Sequence, residues 1–307
     1  MAVMTYTHRQ VLDMIPEYLT ARVRTFDPAA EALAKENGIS RGALGTLSGV
    51  LTVGDGDRVE RARISWRSPY AVKRPALEQG WAEIVSSGLA EAVDGGWRVR
   101  PPGIELAKEL SRRIRAHVRA LEVPAGAVRR AAGELGRIAA RVPASAERAA
   151  RAARVRSEAG EPASDLVSLS LAAQVLWSFR DDCHVAAWQA KGYEGPAFEV
   201  LSYVWSSPPD VSFTKIGGHR TIDDLEKALK PRQDRADIEG NVDALVRRGD
   251  LARDGAAVSI TPQGQRTRDA VEDDTDRRFF AIWDLDDDAV ARLGDDLRSI
   301  IDALPKA

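Results

Sequence analysis

The chain has 307 residues, of which 44% are hydrophobic and 29% charged, and its formal net charge is −2 at neutral pH. This composition excludes disordered and collagen-like chains, and the length fits about two domains of about 150 residues. The single cysteine, Cys183, excludes an intrachain disulfide and a multi-cysteine zinc site. Because the sequence has no secretory leader and no membrane-length apolar segment, we expect a cytoplasmic protein that does not span a membrane.

The small net charge conceals a segregation of charge along the chain. Residues 1–110 hold 14 basic and 14 acidic side chains, residues 111–160 hold 12 and 4, and residues 161–307 hold 18 and 28. These three segments therefore carry net charges of 0, +8 and −10. A search for one uniformly basic surface would miss this distribution.

The first third of the chain is predicted to form helices, a hairpin and a further helix. Residues 59–66 (VERARISW) and 75–88 (PALEQGWAEIVSSG) are expected to be two helices, although the first rests on alignment with a later segment. Residues 94–96 (DGG) predict the turn of a hairpin. A long helix is then expected to begin near Pro102.

The middle of the chain is rich in alanine and arginine, a composition that favours helices. Pro124 and Pro143 are expected to interrupt them, so residues 123–160 are predicted to be a helical connector. One interpretation is a solvated connector with one apolar face. The other is a basic arm that contacts phosphate or an acidic surface, and the acidic residues 161–307 are themselves a candidate partner.

The last third carries clear signals for helix boundaries. Thr221 is predicted to cap a helix that stops at Pro231, and a second helix covers residues 234–249 and ends at Gly249. Asp254-Gly255 predicts a hairpin turn, and Thr261-Pro262 predicts the start of another helix. Helix, turn, helix, two-stranded wing and long helix is the plan of a winged helix-turn-helix module.

An internal duplication relates the two ends of the chain. Residues 88–103 align with residues 249–264 at an offset of 161, and residues 31–51 align with residues 185–205 at an offset of 154. The aligned pairs include Gly38 with Gly192, Trp81 with Val242, Leu89 with Asp250, Trp97 with Val258 and Pro101 with Pro262. We interpret the chain as a tandem duplication of one module.

These segments resemble a known family. The pattern GDLARDGAAVSITPQG at residues 249–264, followed by a long polar helix, resembles the wing and C-terminal helix of MarR-type proteins. Residues 180–196 (RDDCHVAAWQAKGYEGP) are similar to tandem MarR-like proteins common in actinobacteria. The resemblance implies a mainly α fold with small β wings, in which one chain forms a pseudo-dimer. Its predicted parts are a first winged-helix module at 1–122, the connector at 123–160 and a second winged-helix module at 161–307.

In such a fold the second helix of each motif enters the major groove of DNA and the wing lies beside the backbone. The candidate DNA-binding residues are Arg67, Lys73, Arg74, Gln79, Arg98 and Arg100 in the first copy, and Lys230, Arg232, Arg235 and Arg253 in the second. Gln233 and Asn241 are further candidates for pairing with adenine. Four acidic side chains on the same helix repel phosphate: Asp234, Asp237, Glu239 and Asp243. The alternative is that these residues form surface salt bridges on a scaffold that does not bind DNA.

Residues 179–188 (FRDDCHVAAW) are a second candidate site. Asp181 and His184 share a helix face, so the carboxylate can orient the imidazole as a ligand-contacting or pH-sensitive group. Consecutive helical residues point about 100° apart, which argues against a metal site at residues 182–184. The other interpretation is a buried histidine bonded within the helix bundle, beside a cysteine that acts as a small apolar side chain.

Tryptophan is the third candidate feature. Trp177, Trp188 and Trp205 lie in predicted bundle helices of the second copy. MarR relatives bind aromatic ligands between the bundle and the winged domains, so these side chains are candidates for lining a ligand pocket. A tryptophan stripe at helical spacing is also what core packing produces.

No enzyme signature is present in the sequence, and no cofactor or metal is expected. We predict a DNA-binding transcriptional regulator that acts as a single-chain pseudo-dimer on double-stranded DNA, with a small aromatic molecule as a candidate effector. The expected state is a monomer or a weak homo-oligomer. The alternative is a pseudo-dimer that does not bind DNA and binds a small aromatic molecule or a protein through its helical bundle.

Overall fold

The computed structural model describes residues 6–61, 70, 74–157, 164–205, 218, 220–230 and 232–306. The helices are α1 His8–Ala21, α2 Asp27–Glu36, α3 Arg41–Leu47, α4 Val50–Val53, α5 Arg74–Ser86, α6 Pro101–Arg119, α7 Ala125–Ala139, α8 Glu147–Ser157, α9 Asp165–Ala190, α10 Gly195–Val204, α11 Ile222–Leu229, α12 Arg235–Arg248, α13 Pro262–Phe280 and α14 Asp287–Ala303. The strands are β1 Arg58–Glu60, β2 Ala90–Val93, β3 Gly96–Val99, β4 Leu251–Asp254 and β5 Ala257–Ile260. The described part is therefore mainly helical with small antiparallel sheets, and it contains no helix with the length and apolar character needed to cross a bilayer.

The chain forms two compact units. Unit 1 comprises Met1–Ile64, Leu77–Phe179 and Ile282–Ala307, and unit 2 comprises Ser65–Ala76 and Arg180–Ala281. These units are groups of residues that pack together. The ranges 1–122, 123–160 and 161–307 were predicted from the sequence as two modules and a connector, which is a different kind of division. The modular boundaries therefore remain a prediction.

Unit 1 combines a helical layer with a three-stranded sheet. Helix α14 packs against both α1 and α7, and the antiparallel strands have the order β1-β3-β2. Trp81 of α5 stacks on Trp97 of β3, with ring centroids 4.7 Å apart and planes only 10° from parallel. Both indoles are buried, and they join the helix to the hairpin.

Unit 2 contains a helix-turn-helix followed by a two-stranded wing. Helix α12 packs against α10 and α11, and β4 pairs with β5 to form the wing. A further antiparallel bridge joins Thr221 to Ala257. The apolar core beneath these elements contains Trp188, Phe198, Leu225, Val242 and Val271, all nearly inaccessible to solvent.

Capping side chains explain the helix boundaries of unit 2 and confirm those predictions. The Thr221 hydroxyl accepts from the Asp224 backbone N–H, and the Asp234 carboxylate accepts from the Asp237 backbone N–H. Gly249 ends α12 with a φ of +81°, a conformation that favours glycine. The hairpin turn lies one residue later than predicted, at 255–256, because Asp254 still pairs with Ala257.

One helix prediction in the first copy is wrong at its start. Val59 and Glu60 belong to strand β1, which pairs with β3 and places Val59 opposite Trp97. Val59 is fully buried, so an extended chain here fills the sheet side of the core. The remainder of the predicted helix, from 62 to 66, lies outside the described residues.

The segment predicted to be a connector is helical, and several of its cations have acidic partners within unit 1. The interruptions at Pro124 and Pro143 fall between α6, α7 and α8. Arg130 makes two bonds to Asp296, of 3.0 and 2.6 Å, and Arg141 pairs with Asp284 at 2.9 Å. Arg129 lies 3.5 Å from Asp165. Part of the +8 charge is therefore matched by carboxylates from the acidic last third of the chain.

Element boundaries repeat at the offsets found in the sequence. Helix α10 begins 154 residues after α3. Helix α12 begins 161 residues after α5, and α13 begins 161 residues after α6. The hairpin register also repeats: Ala90 pairs with Val99, as Leu251 pairs with Ile260. Gly103 and Gly264 match as well, because a Cβ at either would overlap the carbonyl oxygen of the aligned residue, Leu89 or Asp250.

Candidate functional site

The helix that would enter a DNA groove in unit 2 has acidic side chains between Asp237 and Asp243, and two arginines, Arg247 and Arg248, at its end. Along α12 the exposed or half-exposed side chains include Asp237, Glu239 and Asp243. Arg235, at the start of this helix, donates to Asp223 and Glu226 at 2.8 Å each and to Glu239 at 3.2 Å. These carboxylates raise the pKa of Arg235 and occupy its donors. Arg235 is therefore already engaged by the protein itself.

Arg232 and Gln233 lie inside a buried polar cluster around Glu199. The Arg232 Nε donates to Glu199 Oε1 at 2.6 Å, and the same guanidinium bonds the Tyr203 hydroxyl. Gln233 is 2% exposed and donates to Glu199 Oε2 at 2.9 Å. Burial raises the pKa of Glu199, while Gln233 and Arg232 oppose that shift. This cluster joins the start of α12 to α10, so it positions the helix.

The remaining candidates of the second copy differ in their surroundings. Arg253 on the wing donates to Asp243 at 2.8 Å and to the Gly255 carbonyl at 2.9 Å. The Asn241 amide donates to Gln233 and so is turned into the protein. Lys230 at the end of α11 is exposed and forms no ion pair within the described part of the chain.

The first copy presents a more evenly charged wing. Arg98 on β3 and Arg100 just after it are about half exposed, and both lie near Glu91, at 3.3 and 3.6 Å. Gln79 is exposed on α5, whose first residue is Arg74. Arg67 and Lys73 lie outside the described residues. Because these ion pairs are exposed, they are weak, and the arginines are open to exchange partners.

A family model described as a helix-turn-helix family matches residues 84–307, which is more than half of the chain. The protein belongs to this helix-turn-helix family. No curated protein and no solved structure shows a match. The matched region begins within α5 and includes both hairpins, the connector and all of the second copy.

The helix-turn-helix protein also contains a buried histidine with a defined tautomer. His184 is 1% exposed; its Nδ1 lies 3.1 Å from Thr275 Oγ1, and its Nε2 lies 3.1 Å from the Tyr70 hydroxyl. The Thr275 hydroxyl donates to the Val271 carbonyl, so its oxygen is left to accept from Nδ1–H. Nε2 then accepts from Tyr70. Burial lowers the pKa of His184 to about 3, and the imidazole is neutral near pH 7.

A buried ionic group surrounds this histidine. Glu272 of α13 pairs with Arg180 at 2.9 Å and with Arg268 at 2.5 Å, and its Oε1 is 3.8 Å from His184 Nδ1. Burial alone would raise the pKa of Glu272, but the two arginines outweigh it and hold that pKa below its ordinary value. The carboxylate beside His184 is thus Glu272, where the sequence pointed to Asp181. Asp181 itself is half-buried.

The three candidate tryptophans are divided between the two units. Trp177 belongs to unit 1, whereas Trp188 and Trp205 belong to unit 2 and are 5% and 1% exposed. Trp188 packs against Phe198 at 6.2 Å between ring centroids. The Trp205 indole donates to Asp269 at 2.8 Å. The geometry of these two side chains is that of core packing.

Cys183 is unsuited to act as a nucleophile. Its side chain is nearly buried, and burial raises the pKa of the thiol to about 12, with Asp182 acting in the same direction. The thiol therefore stays protonated at neutral pH. This agrees with the interpretation of Cys183 as a small apolar side chain.

The charged residues around His184 were not predicted from the sequence. Arg268 and Glu272 are spaced i, i+4 on α13, and both are buried among apolar residues. Arg268 also lies over the Trp205 ring at 4.3 Å and donates to Ser202 at 3.0 Å. The sequence does show that Glu272 and Arg268 are four residues apart and share a helix face with Val271 and Thr275. This spacing could have indicated a buried ion pair on α13.

Proposed function

We propose that the protein is a cytoplasmic DNA-binding transcriptional regulator of MarR-like type, in which one chain supplies both winged modules of a pseudo-dimer. The family membership supports DNA as the partner. The observation that best supports two modules is the repetition of element starts and hairpin register at a constant offset of 161. Two independent folds would have no reason to share this spacing.

Charge favours the first copy as the dominant DNA contact. On the second copy, Arg232 is held by the buried Glu199, Arg235 donates to three carboxylates, and acidic side chains lie along α12 from Asp237 to Asp243. On the first copy, Arg98 and Arg100 stand on a half-exposed wing that can follow a phosphate backbone. We therefore expect unequal half-sites, and a palindromic operator is not expected.

Fluorescence polarisation of the full chain against short genomic duplexes at low salt tests this proposal. The double variant Arg98→Gln/Arg100→Gln is expected to weaken binding and to reduce the slope of log affinity against log salt by up to about 2, one for each phosphate that is no longer neutralised. The matched control is Lys191→Gln/Lys227→Gln, which removes the same charge from exposed positions that are not candidate DNA-binding residues. Equal weakening in both variants would contradict a first-copy contact, and binding to no duplex would overturn the function.

A second candidate is favoured by the acidic exposed face of α12. In this alternative, the pseudo-dimer binds no DNA and takes a small aromatic molecule or a protein partner through its helical bundle, near His184 and Trp188. Tryptophan fluorescence screened against aromatic metabolites separates the two candidates. Quenching that disappears in Trp188→Phe supports the alternative, whereas quenching that persists argues against that site.

A further inference from the structure

A cavity of about 350 Å³ lies between α7 and α14 in unit 1. Its lining residues are Arg129, Arg130, Gly133, Glu134, Ala289, Arg292, Leu293 and Asp296. The α7 members fall at i, i+1, i+4 and i+5, so they form one helix face. The cavity is thus a groove with one wall on each helix and charged side chains at its rim.

The charges in this groove do not cancel locally. Asp296 is 9% exposed and takes two bonds from Arg130, and Glu134 pairs with Arg137 at 3.0 Å. Both carboxylates are therefore matched by one arginine each. The other two cations of the lining are Arg129, which pairs with Asp165 outside the groove, and Arg292, so the lining holds three arginines against two carboxylates.

Arg129 and Arg292 are the arginines of the lining that do not bond a lining carboxylate, and both are exposed. Arg129 is 79% exposed, and its acidic partner, Asp165, is 3.5 Å away and itself half exposed. Arg292 is exposed on α14 and forms no ion pair within the described ranges. Guanidinium groups bind carboxylates and phosphates through paired N–H donors.

The floor of the groove is small and apolar. Ala289 and Leu293 contribute one side, and Gly133 lies opposite on α7. A Cβ at Gly133 would meet no atom within 4 Å, so packing does not require glycine there. Glycine in a helix interior lowers helix stability relative to alanine. Its presence keeps the groove open at that point.

We propose that this groove is a binding site for a compact oxyanion of the phosphate type, held between Arg129 and Arg292. Arg130 takes part indirectly, because its two bonds to Asp296 neutralise the carboxylate that would otherwise repel the anion. The proposal does not rest on DNA binding. It assigns the protein a small-anion effector site in unit 1, separate from the wings.

Equilibrium dialysis of the full chain with radiolabelled inorganic phosphate tests the site at constant ionic strength. We expect one saturable equivalent in the wild type. The variant Arg129→Gln/Arg292→Gln is expected to weaken binding by about tenfold or more. Lys191→Gln/Lys227→Gln removes the same charge from exposed positions of unit 2 and is expected to leave phosphate binding unchanged. Absent or non-saturable binding, or equal weakening in both variants, would overturn the proposal.

A second pair of variants tests the shape of the groove without changing its charge. Gly133→Leu is expected to fill the floor and abolish phosphate binding. Gly136→Leu, on the same helix but outside the lining, is expected to retain it. The alternative source of phosphate is the DNA backbone. If Arg129→Gln/Arg292→Gln weakens duplex binding in polarisation while dialysis detects no phosphate in the wild type, these arginines belong to a DNA contact and the effector-site proposal is wrong.

Discussion

The two hairpins share a backbone plan and differ in what they bury. Strands β2 and β3 pair in the same register as β4 and β5. Where the first copy stacks Trp81 on Trp97, the second packs Val242 and Val258 into its core. The two aligned positions are both aromatic in the first copy and both aliphatic in the second. The core therefore keeps buried apolar side chains at both positions, while their combined volume differs.

The helices before the hairpins differ between the two copies. In the second copy α9 runs unbroken over Asp165–Ala190, whereas the aligned stretch of the first copy is divided between α1 and α2. Pro28, in the first turn of α2, aligns with Asp182 in the middle of α9. Proline is tolerated in the first turn of a helix, which fits Pro28 at the start of α2, whereas Pro16 lies inside α1 without ending it.

Buried polar groups separate the two copies most clearly. His184 aligns with Ala30, Glu199 aligns with Gly45, and Arg232 aligns with Ala71. Only the second copy therefore has these groups in its core, where every one of them needs a partner. The aligned positions of the first copy hold small residues: Ala30, Gly45 and Ala71.

Substitution of the paired glycines tests the shared plan and is expected to have the largest effect. In Gly264→Ala and Gly103→Ala the new Cβ overlaps a carbonyl oxygen of Asp250 or Leu89, so the wing must shift from the following helix. We expect each to lower the free energy of unfolding by roughly 4 kcal/mol, measured by urea denaturation. The control Gly240→Ala has open space on α12 and should stabilise by up to about 1 kcal/mol. If Gly103→Ala left the free energy of unfolding unchanged, Gly103 and Gly264 would not have equivalent roles in the two copies.

Removal of Arg232 tests the buried polar cluster around Glu199, with an intermediate expected effect. Arg232→Ala leaves the buried Glu199 without its cation, and we expect a loss of about 2–3 kcal/mol, because the guanidinium is partly exposed. The double variant Arg232→Ala/Glu199→Ala should recover part of this loss. Arg235→Ala, which breaks only exposed ion pairs, should destabilise the protein less than Arg232→Ala. If Arg232→Ala/Glu199→Ala is less stable than Arg232→Ala, the loss in the single variant does not come from leaving Glu199 buried without its cation.

The helix boundaries of the second copy could be predicted from local sequence signals. The features that could not be predicted depend on contacts between residues that are distant in the sequence. Thr221, Asp234 and Gly249 act on neighbours within the same turn, so their roles follow from the sequence. Strand β1 forms only because it pairs with β3, from a distant part of the chain, and its residues were mistaken for a helix. The partners of His184, Tyr70 and Thr275, come from 114 and 91 residues away, and a single sequence gives no sign of such contacts.

The pH dependence of stability is expected to show the smallest of these effects, and it arises from His184 in the second copy. The folded pKa of His184 lies near 3, mainly through burial, while the unfolded value is 6.5. As the pH falls below 6.5 the unfolded chain gains a proton that the folded chain refuses, so stability falls with pH across this window. We expect His184 to contribute about 1–2 kcal/mol of loss between pH 6.5 and 5. In urea titrations across this range, His184→Gln should flatten the dependence, whereas His8→Gln, at a half-buried position of unit 1, should retain it. An unchanged slope in His184→Gln would mean that the imidazole is already charged in the folded protein, in conflict with the bond it accepts from Tyr70.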